Sequence, residues 1–149
     1  IGYAANRKGQ PVLMADLGTV VHEFNHSFIK IEGDTKNALA KSGKTIKSYS
    51  AFCMKQQAYD SWQTILEESL VRAAEKCYFI EHWDGKVDKG IRNEMNHGFF
   101  WMPELVQTLR YYESHRKKYP TFTSFYPEII HFFDRYVTNM EKEMKKAMK

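Results

Sequence analysis

Two histidines four residues apart, with a glutamate directly after the first, are the clearest chemical signal in the sequence. They lie at residues 19–28, in Thr-Val-Val-His-Glu-Phe-Asn-His-Ser-Phe. On an α-helix such residues lie about 40° apart around the axis and about 6 Å along it, so His22 and His26 can bind one metal ion. A glutamate beside these ligands can take a proton from water on the metal. The H-E-x-x-H motif therefore indicates a catalytic zinc site with Glu23 as the general base.

A catalytic zinc needs a third protein ligand, whose position separates the classes of metallopeptidase. The metzincin class needs glycine and histidine at positions 29 and 32, where this chain has Ile29 and Glu32, so that class is excluded. The remaining common solution is a glutamate from a second helix, and the candidates are Glu67 and Glu68. Arg72, four residues after Glu68, can orient that carboxylate, whereas Glu67 has no basic residue at i+3 or i+4.

Four segments resemble the gluzincins, which are zinc peptidases with H-E-x-x-H on one helix and a glutamate ligand on the next. More closely, they resemble uncharacterised bacterial proteins, often exported, that are described only as metallopeptidase-like. The segments are His-Glu-Phe-Asn-His-Ser-Phe at 22–28, Glu-Ser-Leu-Val-Arg-Ala at 68–73, Gly-Phe-Phe-Trp-Met-Pro-Glu-Leu at 98–105 and Lys-Tyr-Pro-Thr-Phe at 118–122. The resemblance implies that His22, His26 and Glu68 bind one zinc ion per chain. It also implies that Glu23 is the catalytic base.

The sequence departs from the gluzincin pattern at two points. Thermolysin-type gluzincins have an aspartate four residues after the glutamate ligand, where this chain has Arg72, so it lies outside that branch. Zincins also have an N-terminal sheet whose edge strand binds the substrate. Only Pro11–Ala15 is available for such a strand, so we expect the rest of the sheet to lie upstream or to be absent.

Hydrophobic periodicity predicts a mainly α fold with at most one short edge strand. Residues 1–10 are predicted to form a loop, and Pro11–Ala15 the strand. Asp16 is predicted to cap a first helix that continues to Gly33. Residues 37–50, rich in lysine, serine and glycine, are predicted to form a surface connection. Further helices are predicted from Tyr49 or Tyr59 to Ile80, over Asp88–His97, from Pro103 to Arg116 and from Thr123 onwards, with a turn at Asp84–Gly85.

The composition is that of a globular protein. The 149 residues are 43% hydrophobic and 27% charged, and no apolar run approaches the about 20 residues that span a bilayer. The net charge of +4 is scattered and accompanies no nucleic-acid-binding motif, so we expect no nucleic-acid partner. Cys53 and Cys77 could form one disulfide. Because the chain begins at Ile1, without an initiator methionine or signal peptide, we expect it to be the C-terminal part of a longer protein.

Taken together, the sequence predicts one zincin-like helical catalytic domain over residues 1–149 that hydrolyses peptide or protein substrates. The resemblance favours an exported protein, periplasmic or secreted, over a cytoplasmic one, and no oligomeric state is predicted. The alternative is a non-catalytic helical binding module whose zinc site is structural or vestigial. Peptide hydrolysis also needs a donor for the oxyanion, and that role stays open among His97, Tyr111, Tyr112, His115 and Tyr126.

Overall fold

Six helices and a two-stranded hairpin form the described part of the chain, in a computed structural model that covers residues 2–5, 8–14, 16–82 and 87–148. The elements are β1 (Gly2–Ala5), β2 (Pro11–Met14), α1 (Leu17–Asn25), α2 (Gly33–Gln56), α3 (Trp62–His82), α4 (Val87–Asn96), α5 (Met102–Ser114) and α6 (Phe122–Ala147). The prediction of a mainly α fold is confirmed.

The two strands pair antiparallel, with Gly2 opposite Met14 and Ala5 opposite Pro11. The predicted strand is confirmed over Pro11–Met14, and its last residue, Ala15, lies outside the described residues. The loop predicted for residues 1–10 is wrong over Gly2–Ala5, so the described residues form two strands where at most one was expected. A lone strand leaves its backbone N–H and C=O groups unpaired, and the antiparallel partner pairs those on the edge that the two strands share.

The first helix begins as predicted. The Asp16 carboxylate accepts a hydrogen bond from the Thr19 backbone N–H at 2.9 Å and caps α1. No residue of α1 is fully buried, and the large apolar side chains of Leu17, Phe24 and others on this helix are exposed. The helix is therefore attached to the molecule mainly along the face that meets α3.

The predicted end of this helix at Gly33 is wrong, because α1 ends at Asn25 and His26 occupies its C-cap position. The chain leaves the helix because the next segment is held elsewhere. Ile31 is fully buried, and its backbone N–H donates to the Glu67 carboxylate at 2.9 Å. Gly33 begins α2 instead of ending α1.

The surface connection predicted for residues 37–50 is also wrong, because this segment lies within α2. Half of the buried positions of this helix are serine or glycine, which weakens the hydrophobic period. The buried residues are Leu39, Ser42, Gly43, Ile46, Ser50 and Met54. The hydroxyls of Ser42 and Ser50 donate to backbone carbonyls of their own helix, so they are buried without an unpaired hydroxyl group.

The predicted second helix is confirmed as α3, which is the central element and packs against α1, α2, α4 and α5. Both cysteines are free, so the possible disulfide is absent. Cys77 of α3 is buried, and burial raises the pKa of its thiol to about 12.

The three remaining helices lie within a few residues of their predicted positions, at α4, α5 and α6. Helix α6 packs against α2 and α5. The turn predicted at Asp84–Gly85 lies outside the described residues. Among the described residues, none of the helices combines the length and the apolar character that crossing a membrane requires.

Candidate metal centre

The last two turns of α1 present two imidazoles on one face. His22 lies inside the helix and His26 caps its C-terminus, and their Nε2 atoms are 3.3 Å apart. The two rings meet edge to face, with centroids 5.0 Å apart. Both side chains are partly exposed, at 19% for His22 and 34% for His26, so an ion at this position is accessible from solvent.

Glu68 of α3 completes a triad with these histidines. Its Oε1 lies 3.3 Å from Nε2 of His26, and its Oε2 lies 3.6 Å from Nε2 of His22. The three ligand atoms lie within 4.8 Å of one another. Among the described residues, His22, His26 and Glu68 form the group of three histidine, cysteine or acidic side chains whose ligand atoms are close enough together to bind one metal ion.

The spacing of these atoms fits zinc. Tetrahedral ligands at about 2.0–2.2 Å from zinc lie about 3.3–3.6 Å from one another. The two histidine Nε2 atoms are 3.3 Å apart, and each lies within this range of one Glu68 oxygen, at 3.3 Å from Oε1 for His26 and 3.6 Å from Oε2 for His22. Two imidazoles and one carboxylate are also the ligand set of several catalytic zinc sites, in which the fourth position holds water. His22, His26 and Glu68 thus have both the chemistry and the arrangement to hold a zinc ion.

Glu67, the alternative ligand considered from the sequence, lies outside the triad. Its Oε1 accepts hydrogen bonds from the Ile31 backbone N–H at 2.9 Å and from the Gln63 amide at 3.3 Å. Consecutive helical residues point about 100° apart, so Glu67 and Glu68 face different partners. Through its bond with Ile31, Glu67 connects the segment between α1 and α2 to α3.

Glu23 follows His22 on α1, and its side chain is exposed. In the described part of the chain it has no hydrogen-bond or ion-pair partner. It lies about 100° around the helix from His22. Because the described residues give it no partner, the Glu23 carboxylate is available to interact with a water molecule.

Two further side chains, Arg72 and Tyr59, contact Glu68 at the oxygen that also faces His22. Nε of Arg72 lies 3.5 Å from Oε2 of Glu68. The Tyr59 hydroxyl donates to the same oxygen at 3.1 Å and accepts from Nη2 of Arg72 at 3.0 Å. Burial raises the pKa of Tyr59, and the Glu68 charge adds to this effect against the opposing effect of Arg72. The phenol therefore keeps its proton at neutral pH and can donate a hydrogen bond to Glu68.

Glu75 holds the other side of His22, with its Oε2 3.4 Å from Nδ1 of the imidazole. Burial alone would raise the pKa of Glu75, but the hydrogen bond from His22 and the charge of Lys76 outweigh it, so the pKa is lowered. The ionised carboxylate favours the tautomer with a proton on Nδ1, which leaves the lone pair of Nε2 for a metal. Such carboxylate–histidine pairs are usual behind zinc ligands.

Tyr59 and Glu75 are the site residues that sequence reasoning missed. Glu75 carried a usable signal, because it follows Glu68 by seven residues, which is two helical turns on the same face of α3. Tyr59 is predicted only as a possible start of the second helix, but it lies between α2 and α3, and its position depends on how that segment folds back.

The five candidates for the oxyanion donor form no hydrogen bond or ion pair with the triad in the described part of the chain. The Tyr126 hydroxyl, for example, bonds with the backbone of Lys30. His115 bonds through Nδ1 with Ser114 and with the backbone oxygen of Tyr111. Their positions assign none of the five to the oxyanion.

A cavity of about 390 Å³ lies beside Glu75, the carboxylate that contacts His22. It is lined by Asp16, Leu17 and Gly18 at the start of α1, by Glu75, Lys76 and Phe79 of α3, and by Val87 and Gly90 of α4. Glu75 is the link between this cavity and the triad, because it lines the cavity and contacts His22, whereas the three triad residues are not among the lining residues. The lining combines apolar side chains and glycines with charges that are already paired or that cap a helix.

Comparison with known proteins gives one match. The model of a family described as a domain of unknown function, DUF4932, matches residues 14–132. No curated protein matches the chain, and no solved structure does. The matched range includes the triad and its partners Tyr59, Arg72 and Glu75, together with most of the core. The chain therefore belongs to the DUF4932 family.

Proposed function

We propose that the protein is a zinc-dependent peptide-bond hydrolase of the gluzincin type, with one zinc ion per chain held by His22, His26 and Glu68. The observation that carries this proposal is the convergence of the three side chains: the two Nε2 atoms are 3.3 Å apart, and each lies within 3.6 Å of one Glu68 oxygen, which are separations typical of zinc ligands. The ordered partners behind Glu68 and His22 support it further, because zinc ligands are usually oriented in this way.

Zinc, when bound, supplies a Lewis acid that lowers the pKa of water toward about 7 and polarises a carbonyl group. Glu23 is the general base: its free carboxylate takes the proton of the attacking water and returns it to the leaving amine. Glu75 keeps His22 in the tautomer that presents Nε2, and Arg72 with Tyr59 keeps Glu68 in place. The cavity beside Glu75 is the proposed position for a substrate side chain.

The experiment compares zinc content and hydrolysis in the wild-type chain and in Glu23→Gln. We expect about one zinc per chain in both proteins, and cleavage of unfolded casein by the wild type only, because glutamine cannot accept the proton. Glu32→Gln, which changes another exposed carboxylate near α1, is the matched control and is expected to keep both properties. Full activity of Glu23→Gln would contradict the general-base role, and zinc-free wild-type protein would contradict the proposal as a whole.

The second candidate is a non-catalytic helical binding module whose zinc site is structural or vestigial. The observation that favours it is the absence of a bond between the triad and any of the five tyrosines and histidines considered as oxyanion donors, within the residues described. This candidate predicts that casein is not cleaved, whether or not the chain has bound zinc.

A further inference from the structure

A closed ring of six side chains connects the triad to α4. In order, the ring contains His22, Glu68, Arg72, Glu94, Lys76 and Glu75. Adjacent members are 2.9–3.6 Å apart, so each contacts the next directly. Two members, His22 and Glu68, belong to the triad. Glu94 of α4 lies on the opposite side of the ring from them.

Glu94 links the two cations of the ring. Its Oε2 lies 2.9 Å from Nη1 of Arg72, and its Oε1 lies 3.1 Å from Nζ of Lys76. Glu94 is the one residue of α4 that is buried, and Lys76 is buried as well. Burying charges costs free energy even when they are paired, so stability alone is a weak reason for this arrangement.

Each cation in turn contacts a carboxylate of the metal centre. Arg72 lies 3.5 Å from Glu68, which is a proposed ligand. Lys76 lies 3.0 Å from Glu75, which orients His22. Two chains of contacts therefore connect Glu94 to proposed ligands, one through Arg72 to Glu68 and one through Lys76 and Glu75 to His22. Glu94 itself contacts none of the three ligands.

We propose that Glu94 is a positioning residue for the zinc centre, an inference that rests on the proposed function. Glu94 holds the guanidinium of Arg72 and the ammonium of Lys76 in place behind the two carboxylates of the centre. In Glu94→Gln both cations lose this anionic partner. Arg72 then no longer orients Glu68, and Lys76 no longer orients Glu75 against Nδ1 of His22. Loss of an outer partner typically lowers metal affinity about 10–100-fold, and we expect Glu94→Gln to fall in this range.

The test measures the zinc dissociation constant of Glu94→Gln by competition with a chromophoric chelator. The melting temperature of the metal-free protein is measured alongside. Glu67→Gln is the matched control, because it removes a half-buried carboxylate charge from α3 outside the ring. We expect the dissociation constant to rise about 10–100-fold for Glu94→Gln and to stay unchanged for Glu67→Gln. A lower melting temperature with an unchanged dissociation constant would mean that Glu94 is only structural, and would overturn the inference.

Lys76→Met gives an independent test if Glu94→Gln does not fold. It breaks the route from Glu94 to Glu75, so it is also expected to weaken zinc binding. Where both variants fold, their effects in the double variant are expected to be less than additive, because they act along one route. An unchanged dissociation constant in Lys76→Met would overturn that route. A wild-type chain that binds no zinc would overturn the proposed function itself. Wild-type protein that binds zinc, with unchanged dissociation constants in the variants, would overturn only the role of Glu94.

Discussion

At the scale of single residues, two adjacent glutamates on α3 have separate tasks. Glu68 faces the histidines of α1, whereas Glu67 accepts the backbone N–H of Ile31. The 100° step between consecutive helical residues is what separates them. Arg72, one turn after Glu68, lies on the same side as the proposed ligand and contacts it.

We predict that Glu68→Ala weakens zinc binding severely, while Glu67→Ala leaves it nearly unchanged. The first change removes one of three proposed ligands, and the second removes a carboxylate that bonds with Ile31 and Gln63. Arg72→Ala should fall between them, with a loss of about 10–100-fold in affinity. Isothermal titration with zinc measures all three variants.

The reverse order for the two glutamates would move the proposed ligand to Glu67. An absence of effect from both would remove the gluzincin assignment. Circular dichroism of each metal-free variant serves as the control, since it separates lost ligation from lost folding.

At the scale of elements, close contact between α2 and α3 depends on a glycine. A Cβ atom added at Gly43 would overlap Cε3 of Trp62 and lie 3.2 Å from Cδ1 of Leu66. Both are side chains of α3, so the absence of a side chain at position 43 sets how closely the helices approach. This contact keeps α3 against the core while its opposite side carries Glu68 and Glu75.

We predict that Gly43→Ala lowers the free energy of unfolding by about 1–2 kcal/mol, as measured by urea denaturation. Alanine in a helix normally gains about 0.5–1 kcal/mol over glycine. Overpacking against the Trp62 ring costs about 1–3 kcal/mol, however, and outweighs this gain.

The matched control is Gly90→Ala in α4, where the nearest atom to the added Cβ is Cε of Lys76 at 3.5 Å. That distance is an ordinary contact, so the helix preference should dominate and Gly90→Ala should be as stable as the wild type or more so. Greater stability of Gly43→Ala than of the wild type would show that α2 and α3 are not packed as closely as described.

At the scale of the whole molecule, the core and the proposed metal centre overlap little. The buried apolar side chains come mainly from α2, α3, α5 and α6, while α1 contributes none. Zinc would connect α1 to α3 through the triad. Its removal should therefore release α1 and leave the core assembled.

We predict that metal-free protein keeps its helical circular dichroism at 25 °C and melts at a lower temperature than the zinc-loaded protein. Free zinc at about 100 times the dissociation constant adds about 2.7 kcal/mol. For a chain of this size that corresponds to about 5–11 °C in melting temperature. Melting with zinc and with excess chelator measures the difference, and Glu68→Ala, which lacks a ligand, should show almost none.

Unfolding of the metal-free chain at 25 °C would contradict this prediction. It would identify the site as structural and favour the binding module over the hydrolase. Identical melting curves with zinc and with chelator would mean that the wild-type chain does not bind the ion.

The sequence by itself determined the features that depend on one helix at a time. The spacing of His22 and His26 requires a shared face, Asp16 is a strong helix cap, and Arg72 is one turn from Glu68. Each is a local relation, because the helical repeat fixes which side chains are neighbours along one element. The main helices other than α2 could be predicted for the same reason.

Only the tertiary structure decided which elements meet. It brings Glu75 to His22, Tyr59 to Glu68 and Glu94 to both cations of the ring. It also decided that residues 37–50 are helical, since Ser42 and Gly43 become inward-facing residues once α3 packs against them. These features depend on contacts between residues distant in sequence. A pattern along one chain segment records the direction of a side chain but not the neighbour that it will meet.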